Sequence, residues 1–225
     1  MLRLLPYTLI LSVLCLLTSC GEDDYYYPPV KLAFLTATTS IDGTVASVVT
    51  DDHQRLTVAD DKSGLDLPSY TSQRIVANYE QMPESDGIRL YGAVKVVCPT
   101  PLWKNELASQ YKDDPVEVIS IWPGNGYLNM ILGVKETTEH TFHFSETSKA
   151  LNAHDARVDI SLHHDAHGGT EAYLQRCYLS IPLEKYEKST QAASITVAFS
   201  LNTYTEGVKT YTVDCPFYYV NESTR

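Results

Sequence analysis

The chain has 225 residues, and its 28 Asp+Glu outnumber 17 Lys+Arg for a formal charge of −11 at pH 7. A body of this sign is repelled by phosphate backbones and shows no basic run, which argues against nucleic-acid binding; a cationic peptide or protein is instead steered towards it. With 16 Tyr, many Thr and Val and almost no segment of helical period, the composition predicts an all-β protein.

Residues 1–20 start with Arg3, continue through an apolar run from Leu4 to Leu17 and end in Thr18, Ser19 and Cys20. This is the pattern of a secretory signal. The run is shorter than the roughly 20 apolar residues of a spanning helix, and Pro6, Thr8 and Ser12 weaken it further. Leu17-Thr18-Ser19-Cys20 resembles the bacterial lipobox, whose Cys is lipidated and becomes the first residue after cleavage. Lipidation at Cys20 is therefore expected, with a plain secretory signal as the other reading. Acyl chains then make the membrane an anchor rather than a solvent for the fold.

Glu22, Asp23 and Asp24 follow directly. They resemble the acidic tract found after the lipidated Cys in many lipoproteins of the Bacteroidetes, where it is associated with export to the outer face of the outer membrane. The expectation is an outer-membrane lipoprotein exposed at the cell surface; the alternatives are a periplasm-facing protein and a merely solvated spacer. Residues 21–29 read as a tether closed by Tyr25-Tyr26-Tyr27-Pro28-Pro29, whose prolines favour extended geometry. Loss of residues 1–20 removes Arg3 and no acid, leaving 16 basic against 28 acidic residues and a formal charge of −12.

Five strands are predicted next, from Val30 to Ala37, Gly43 to Val49, Arg55 to Val58, Gln73 to Glu80 and Ile88 to Val97. Turn chemistry separates them at Asp42-Gly43, Asp51-Asp52-His53, Asp60 to Gly64 and Pro83 to Gly87. Five short strands over residues 30–98 suit a small barrel of the OB type. Cys98-Pro99-Thr100-Pro101 then interrupts pairing, and residues 99–115 read as a linker with a short helical possibility from Trp103 to Tyr111.

Seven further strands are predicted within residues 116–216, from Val116 to Trp122, Tyr127 to Lys135, Glu139 to Phe144, Arg157 to His163, Glu171 to Ile181, Ser194 to Leu201 and Val208 to Val213. Pro123-Gly124-Asn125-Gly126 and Thr205-Glu206-Gly207 have the chemistry of hairpin turns. Strands of this number and spacing read as a β-sandwich, with residues 217–225 left as a tail. The predicted architecture is thus all-β, a small OB-like barrel followed by a β-sandwich.

Several stretches resemble one family in the right order along nearly the whole chain. They are Asp23 to Leu32 after the lipobox, Phe34-Leu35-Thr36-Ala37-Thr38-Thr39, Ser120-Ile121-Trp122 through Tyr127-Leu128-Asn129-Met130, and Ser200-Leu201-Asn202-Thr203-Tyr204. The family is that of the NigD-like lipoproteins of the Bacteroidetes. The resemblance implies an OB-like domain followed by a β-sandwich, as the strand count does independently. It also implies a role suggested for the family's namesake, bacteriocin immunity, but brings no catalytic or binding residues with it.

Site chemistry is sparse. His163, Asp165 and His167 project from one face if the backbone stays extended, which makes them a candidate partial metal set. The competing reading is a turn in which Asp165 and Gly168-Gly169 set the geometry. His140 and His143, three apart, point to opposite faces of a strand. The acid pairs Asp51-Asp52, Asp60-Asp61 and Asp113-Asp114 sit in predicted turns, where Asp caps its own backbone, and none has EF-hand spacing. No nucleophile elbow, phosphate-cradling loop or His-Glu-x-x-His helix is present, so neither catalysis nor a cofactor is expected.

Cys98, Cys177 and Cys215 allow one disulfide in any of three pairings, or three buried thiols. Trp103 and Trp122 flank the domain boundary; ordinary core packing is the default reading, and packing the domains together or lining a cleft between them are the alternatives. The expected function is non-catalytic binding from a membrane anchor, with a cationic peptide or protein as partner and the binding surface on the OB-like domain or at the interdomain cleft. The alternative is a structural or assembly component of an outer-membrane surface complex.

Overall fold

The computed structural model describes residues 29–82, 87–107, 111–135, 139–168 and 173–217. The lipidation candidate Cys20 and the acidic residues Glu22, Asp23 and Asp24 lie outside the described residues.

The first five strands are β1 (Lys31–Thr39), β2 (Val45–Thr50), β3 (Arg55–Asp61), β4 (Ser72–Gln81) and β5 (Gly87–Lys95). They close into a barrel in the order β1-β2-β3-β5-β4. All neighbours pair antiparallel except β3 and β5, which run parallel. Alternation decides the two faces. On β1, Ala33, Leu35 and Ala37 turn inward to meet Val48, Ile75, Ala77, Ile88 and Leu90, while Phe34 belongs to a separate outer cluster. Small residues such as Ala37 and Ala77 let so narrow a barrel close, and each fully buried Leu or Ile stabilises it by roughly 1.5–3 kcal/mol.

The turn between β1 and β2 shows why its residues are there. Asp42 accepts hydrogen bonds from the Thr44 amide at 3.2 Å and the Thr44 hydroxyl at 2.8 Å. Its carboxyl is held down at about 2 by the Ser40 hydroxyl first and by Thr44 second. Gly43 follows at φ 81°, and a Cβ there would lie 2.5 Å from the Leu67 carbonyl oxygen, so no other residue fits without moving backbone. β3 runs through Asp60 and Asp61, expected to form a turn; Arg89 holds Asp60 at 2.7 Å, and Asp61 accepts the Val45 amide at 2.9 Å.

The second unit contains β6 (Leu102–Trp103), β7 (Glu117–Gly124), β8 (Tyr127–Lys135), β9 (Thr141–Leu151), β10 (Ala156–Asp165), β11 (Leu174–Pro182), a single-turn helix α1 (Glu184–Glu187), β12 (Ser194–Thr203) and β13 (Gly207–Pro216). A five-stranded sheet, β13-β12-β10-β9-β6, faces a three-stranded sheet, β11-β8-β7. Their inner faces bury Leu128, Met130, Leu132, Phe144, Ile160, Leu179, Ile181 and Phe199 in one core. β10 and β12 pair parallel, which the long connection through β11 and α1 permits.

The segment 99–115, expected to be a linker, contributes to this sandwich. Leu102–Trp103 pairs parallel with Ser145 and Glu146 of β9, and among the described residues of the helix expected from Trp103 to Tyr111, Lys104–Glu106 turns as a 3-10 helix. The reason is lateral. Lys149 places its ammonium 4.5 Å from the Trp103 ring centre, and Lys185 donates to the Pro101 carbonyl at 2.7 Å. Both lysines also grip the buried Glu146, at 2.8 and 2.7 Å, and its other hydrogen bond comes from the Tyr186 hydroxyl at 2.6 Å.

Candidate functional site

Between the barrel and the sandwich lies a cleft of about 490 Å³, lined by Leu32, Phe34, Asp52, Trp122, Ile131 and Tyr178 among others. Its floor is built by outward residues of both units. Phe34, Val76 and Val96 of the barrel pack on Trp122, Ile131 and Tyr178, which β7, β8 and β11 present from the outer face of the three-stranded sheet. Trp122 and Tyr178 meet Phe34 edge-on, with centroids 5.0 and 5.8 Å away, the geometry that aromatic quadrupoles favour.

A buried polar clasp underlies this floor. Arg74, its side chain 1% exposed, forms an ion pair with Asp51. It also donates to Asn129 Oδ1 at 3.0 Å and to Thr36 Oγ1 at 3.2 Å, and lies 4.6 Å from the Tyr127 ring centre. Asp51 Oδ2 accepts from Trp122 Nε1 at 3.0 Å and from Asn129 Nδ2 at 3.2 Å. The predicted hairpin turn completes it. Asn125 and Gly126 both have positive φ, as a type I′ turn demands. The Asn125 amide donates to the Asp51 carbonyl at 3.1 Å, and its side chain reaches Thr36 Oγ1 at 3.1 Å. A Cβ at Gly124 would lie 2.5 Å from the Asp51 carboxyl carbon, so glycine there admits the acid.

The chain leaving the barrel reinforces the same contact. Val97 donates to the Tyr178 carbonyl and accepts from the Ser180 amide, both at 3.0 Å. Barrel and sandwich are therefore joined by apolar packing, a charged clasp and backbone pairing at once. Of the two surfaces expected from the sequence, the cleft carries aromatic residues. The outward face of β3, part of the face OB barrels commonly use, presents Arg55, Thr57 and Ala59.

The histidines lie elsewhere, in a second groove of about 450 Å³ lined by Tyr111, Lys112, Thr141, His143, His163, Asp165 and His167. His163, Asp165 and His167 do share this groove; the His167 amide donates to Asp165 at 2.7 Å, and each side chain also has a partner outside the trio. His163 bonds Asp113 at 2.7 Å and Ser145 at 2.8 Å, Lys112 holds Asp165 at 2.8 Å, and His167 bonds Thr141 at 2.8 Å. His167 has φ 50°, so the extended run ends before it. Among the described residues no group of three or more His, Cys, Asp or Glu is placed to hold a metal.

His164 is turned inward, with Nδ1 donating to the Asp114 carbonyl at 3.0 Å and Nε2 accepting from His140 Nδ1 at 2.8 Å. Burial, and secondarily the neighbouring His140, hold its pKa below the usual 6.5 against the pull of Asp114. The unfolded chain therefore binds a proton that the folded one refuses. Stability from the neutral imidazole is complete above pH 6.5 and is lost as pH falls towards the folded pKa. His143, also depressed by burial, adds in the same direction. Thermal melts of the wild type are expected to fall more between pH 7.5 and 5.5 than those of His164→Gln; parallel profiles would contradict this.

Cys98, Cys177 and Cys215 are all thiols. Burial pushes Cys98 up to about 11 and Cys215 to about 12, so neither is a nucleophile at neutral pH.

These features define a class, the two-domain β protein in which an OB-type barrel is clasped to the outer face of a β-sandwich. The family model described as NigD-like C-terminal beta sandwich domain matches residues 100–215, and the chain belongs to the NigD-like family. A NigD-like immunity protein from Bacteroides caccae ATCC 43185 is 35% identical, with a TM-score of 0.67 over 84% of this chain and 93% of that one. A protein of unknown function from Bacteroides vulgatus ATCC 8482, 19% identical, has a TM-score of 0.62 over 87% and 94%. A protein provisionally classed as a lipoprotein, from Bacteroides fragilis NCTC 9343, is 11% identical with a TM-score of 0.58 over 84% and 99%. The last two share the fold alone. No curated protein matches the sequence.

Proposed function

We propose that this chain is a lipoprotein of the cell envelope, anchored through Cys20, that acts by non-catalytic binding at the interdomain cleft and serves in immunity to a cationic peptide toxin. The observation that carries the reading is the cleft itself, where Phe34, Trp122 and Tyr178 form an aromatic floor and Asp52 stands at the mouth. Aromatic faces take both apolar side chains and cations. The net charge of −11 steers a cationic ligand in. The Bacteroides caccae relative is described as an immunity protein and the Bacteroides fragilis neighbour as a lipoprotein, in keeping with both halves of the proposal.

Leu32 and Asp52 are exposed and line the cleft without belonging to the clasp. Leu32→Ser and Asp52→Asn are each expected to weaken binding of an amphipathic cationic peptide about tenfold, roughly 1.4 kcal/mol, with unchanged melting temperature. Titration calorimetry measures this. Deleting the gene is expected to sensitise the producing cell to its toxin. Unchanged sensitivity together with no peptide binding overturns the immunity reading, and constant envelope partners after cross-linking would replace it with a role in a surface complex.

A further inference from the structure

Lys31 and Leu32, the first residues of β1, line the cleft, so the place where the chain enters the barrel is also the rim of the binding site. Cys20 precedes Lys31 by eleven residues. A chain advances at most about 3.6 Å per residue, so a lipid-anchored Cys20 keeps that rim within about 40 Å of the bilayer surface whatever the orientation of the body.

A second observation concerns what lies at the margins of the cleft. The aromatic floor does not end at an all-polar border. Leu32, 57% exposed, lines the cleft itself, and Phe34 pairs with Val76 and Val76 with Val94, so Val94, 49% exposed, extends the outward apolar row of the barrel away from it. On the sandwich side Leu174, 44% exposed, lies over Gly133, two residues beyond Ile131 on β8. An exposed apolar residue at the rim of a concave aromatic floor, with further apolar surface on the same faces of both units, suits docking of an apolar side chain.

Charge selects the occupant. An acidic body is repelled by an anionic lipid surface, whereas an amphipathic cationic peptide is drawn to both. The cleft is lined by Lys31, Asp51 and Asp52; Arg74 pairs with Asp51, and Asp52, which accepts from the Thr50 hydroxyl, makes no ion pair among the described residues and offers that peptide a carboxylate at the mouth, which Lys31 also lines. We infer that the cleft is a membrane-proximal site, whose partner is an amphipathic cationic peptide gathered at the lipid surface, with its apolar side chains seated beside Leu32 on the floor that Phe34, Trp122 and Tyr178 form. This rests on the binding function proposed above and adds the place of capture and a limit on tether length. The short tether converts capture into a local event at high effective concentration, an advantage that falls as the tether grows.

The test uses anionic vesicles loaded with dye, a synthetic amphipathic cationic peptide that permeabilises them, and the full lipidated protein. A flexible Gly/Ser insert of about 30 residues between Asp24 and Tyr25 adds about 30 Å of root-mean-square reach. Anchored wild-type protein is expected to suppress leakage, and the insert to raise the protein density needed for half-protection several-fold. Binding of the peptide in solution by the Cys20→Ser protein is expected to be the same with and without the insert. Equal protection by both tether lengths, with solution binding intact, overturns the membrane-proximal inference alone. No solution binding overturns the underlying function. Binding of the Cys20→Ser protein to peptide-free vesicles, lost in Leu32→Glu, shows that lipid occupies the cleft and overturns the inference as well.

Discussion

Asp51→Asn is expected to cost about 3 kcal/mol of stability, read as a lower midpoint in denaturant titrations. The substitution keeps the shape of the side chain, and its carboxamide oxygen can still accept from Trp122 Nε1. What it removes is the charge opposite Arg74, whose side chain is 1% exposed. Thr36 and Asn129 are neutral, so the guanidinium is left buried with dipoles and the Tyr127 and Phe34 rings around it and no opposite charge. The figure stands at the low end of the range for breaking buried pairs because Asp51 itself is 26% exposed. Adding Arg74→Met is expected to recover part of the loss, since the double variant no longer holds an uncompensated charge. A double variant as unstable as the sum of its singles would show that the pair is not coupled.

Tyr186→Phe is expected to cost about 2 kcal/mol, the range for a hydrogen bond to a buried charge. Glu146 and Tyr186 are both essentially inaccessible, and the hydroxyl lies 2.6 Å from the carboxylate. Burial raises the phenol strongly, and the carboxylate beside it adds to the rise, so the hydroxyl stays a donor. For Glu146, burial pushes the pKa up, but Lys149, Lys185 and Tyr186 together outweigh it and leave the group below its ordinary 4.5. A depressed carboxyl contributes stability above the unfolded pKa of about 4.5 and loses it as pH falls through the folded value. Denaturant melts of Tyr186→Phe are accordingly expected to differ most from wild type near neutrality and to converge in acid; a constant offset down to pH 3 would contradict the assignment.

The strands were legible because local chemistry and global fold agree. β8 spans Tyr127–Lys135 as its alternation predicts, and Asn125-Gly126 makes the turn its residues demand. Trp122 serves both roles expected at the boundary, packing the units together and lining the cleft. The clasp was not legible. Asp51-Asp52 reads as turn chemistry within any short window, while the partners Arg74 and Asn129 lie 23 and 78 positions away. Phe34 and Tyr178 likewise look like ordinary strand hydrophobes until register shows them facing out of their own units. The turn reading of the histidine motif, the one the sequence favoured over a partial metal set, has a local counterpart. Period-2 projection holds for His163 and Asp165, but His167 enters a left-handed turn, and the intervening His164 proves to be the buried member.

The parallel pairs bear on timing as well as on shape. β3 meets β5 across an intervening strand, β1 must wait for β4, and β10 finds β12 only after β11 and α1 have been made. Hairpins such as β7-β8 and β12-β13 form between neighbours, but neither unit closes until these distant strands meet, so loop entropy is lost before closure. Folding is expected on the slow side for domains of this size, in milliseconds to seconds rather than microseconds. The anchoring proposed above through Cys20 needs such a delay, because only a chain that is still open can be threaded through a translocation channel before it folds.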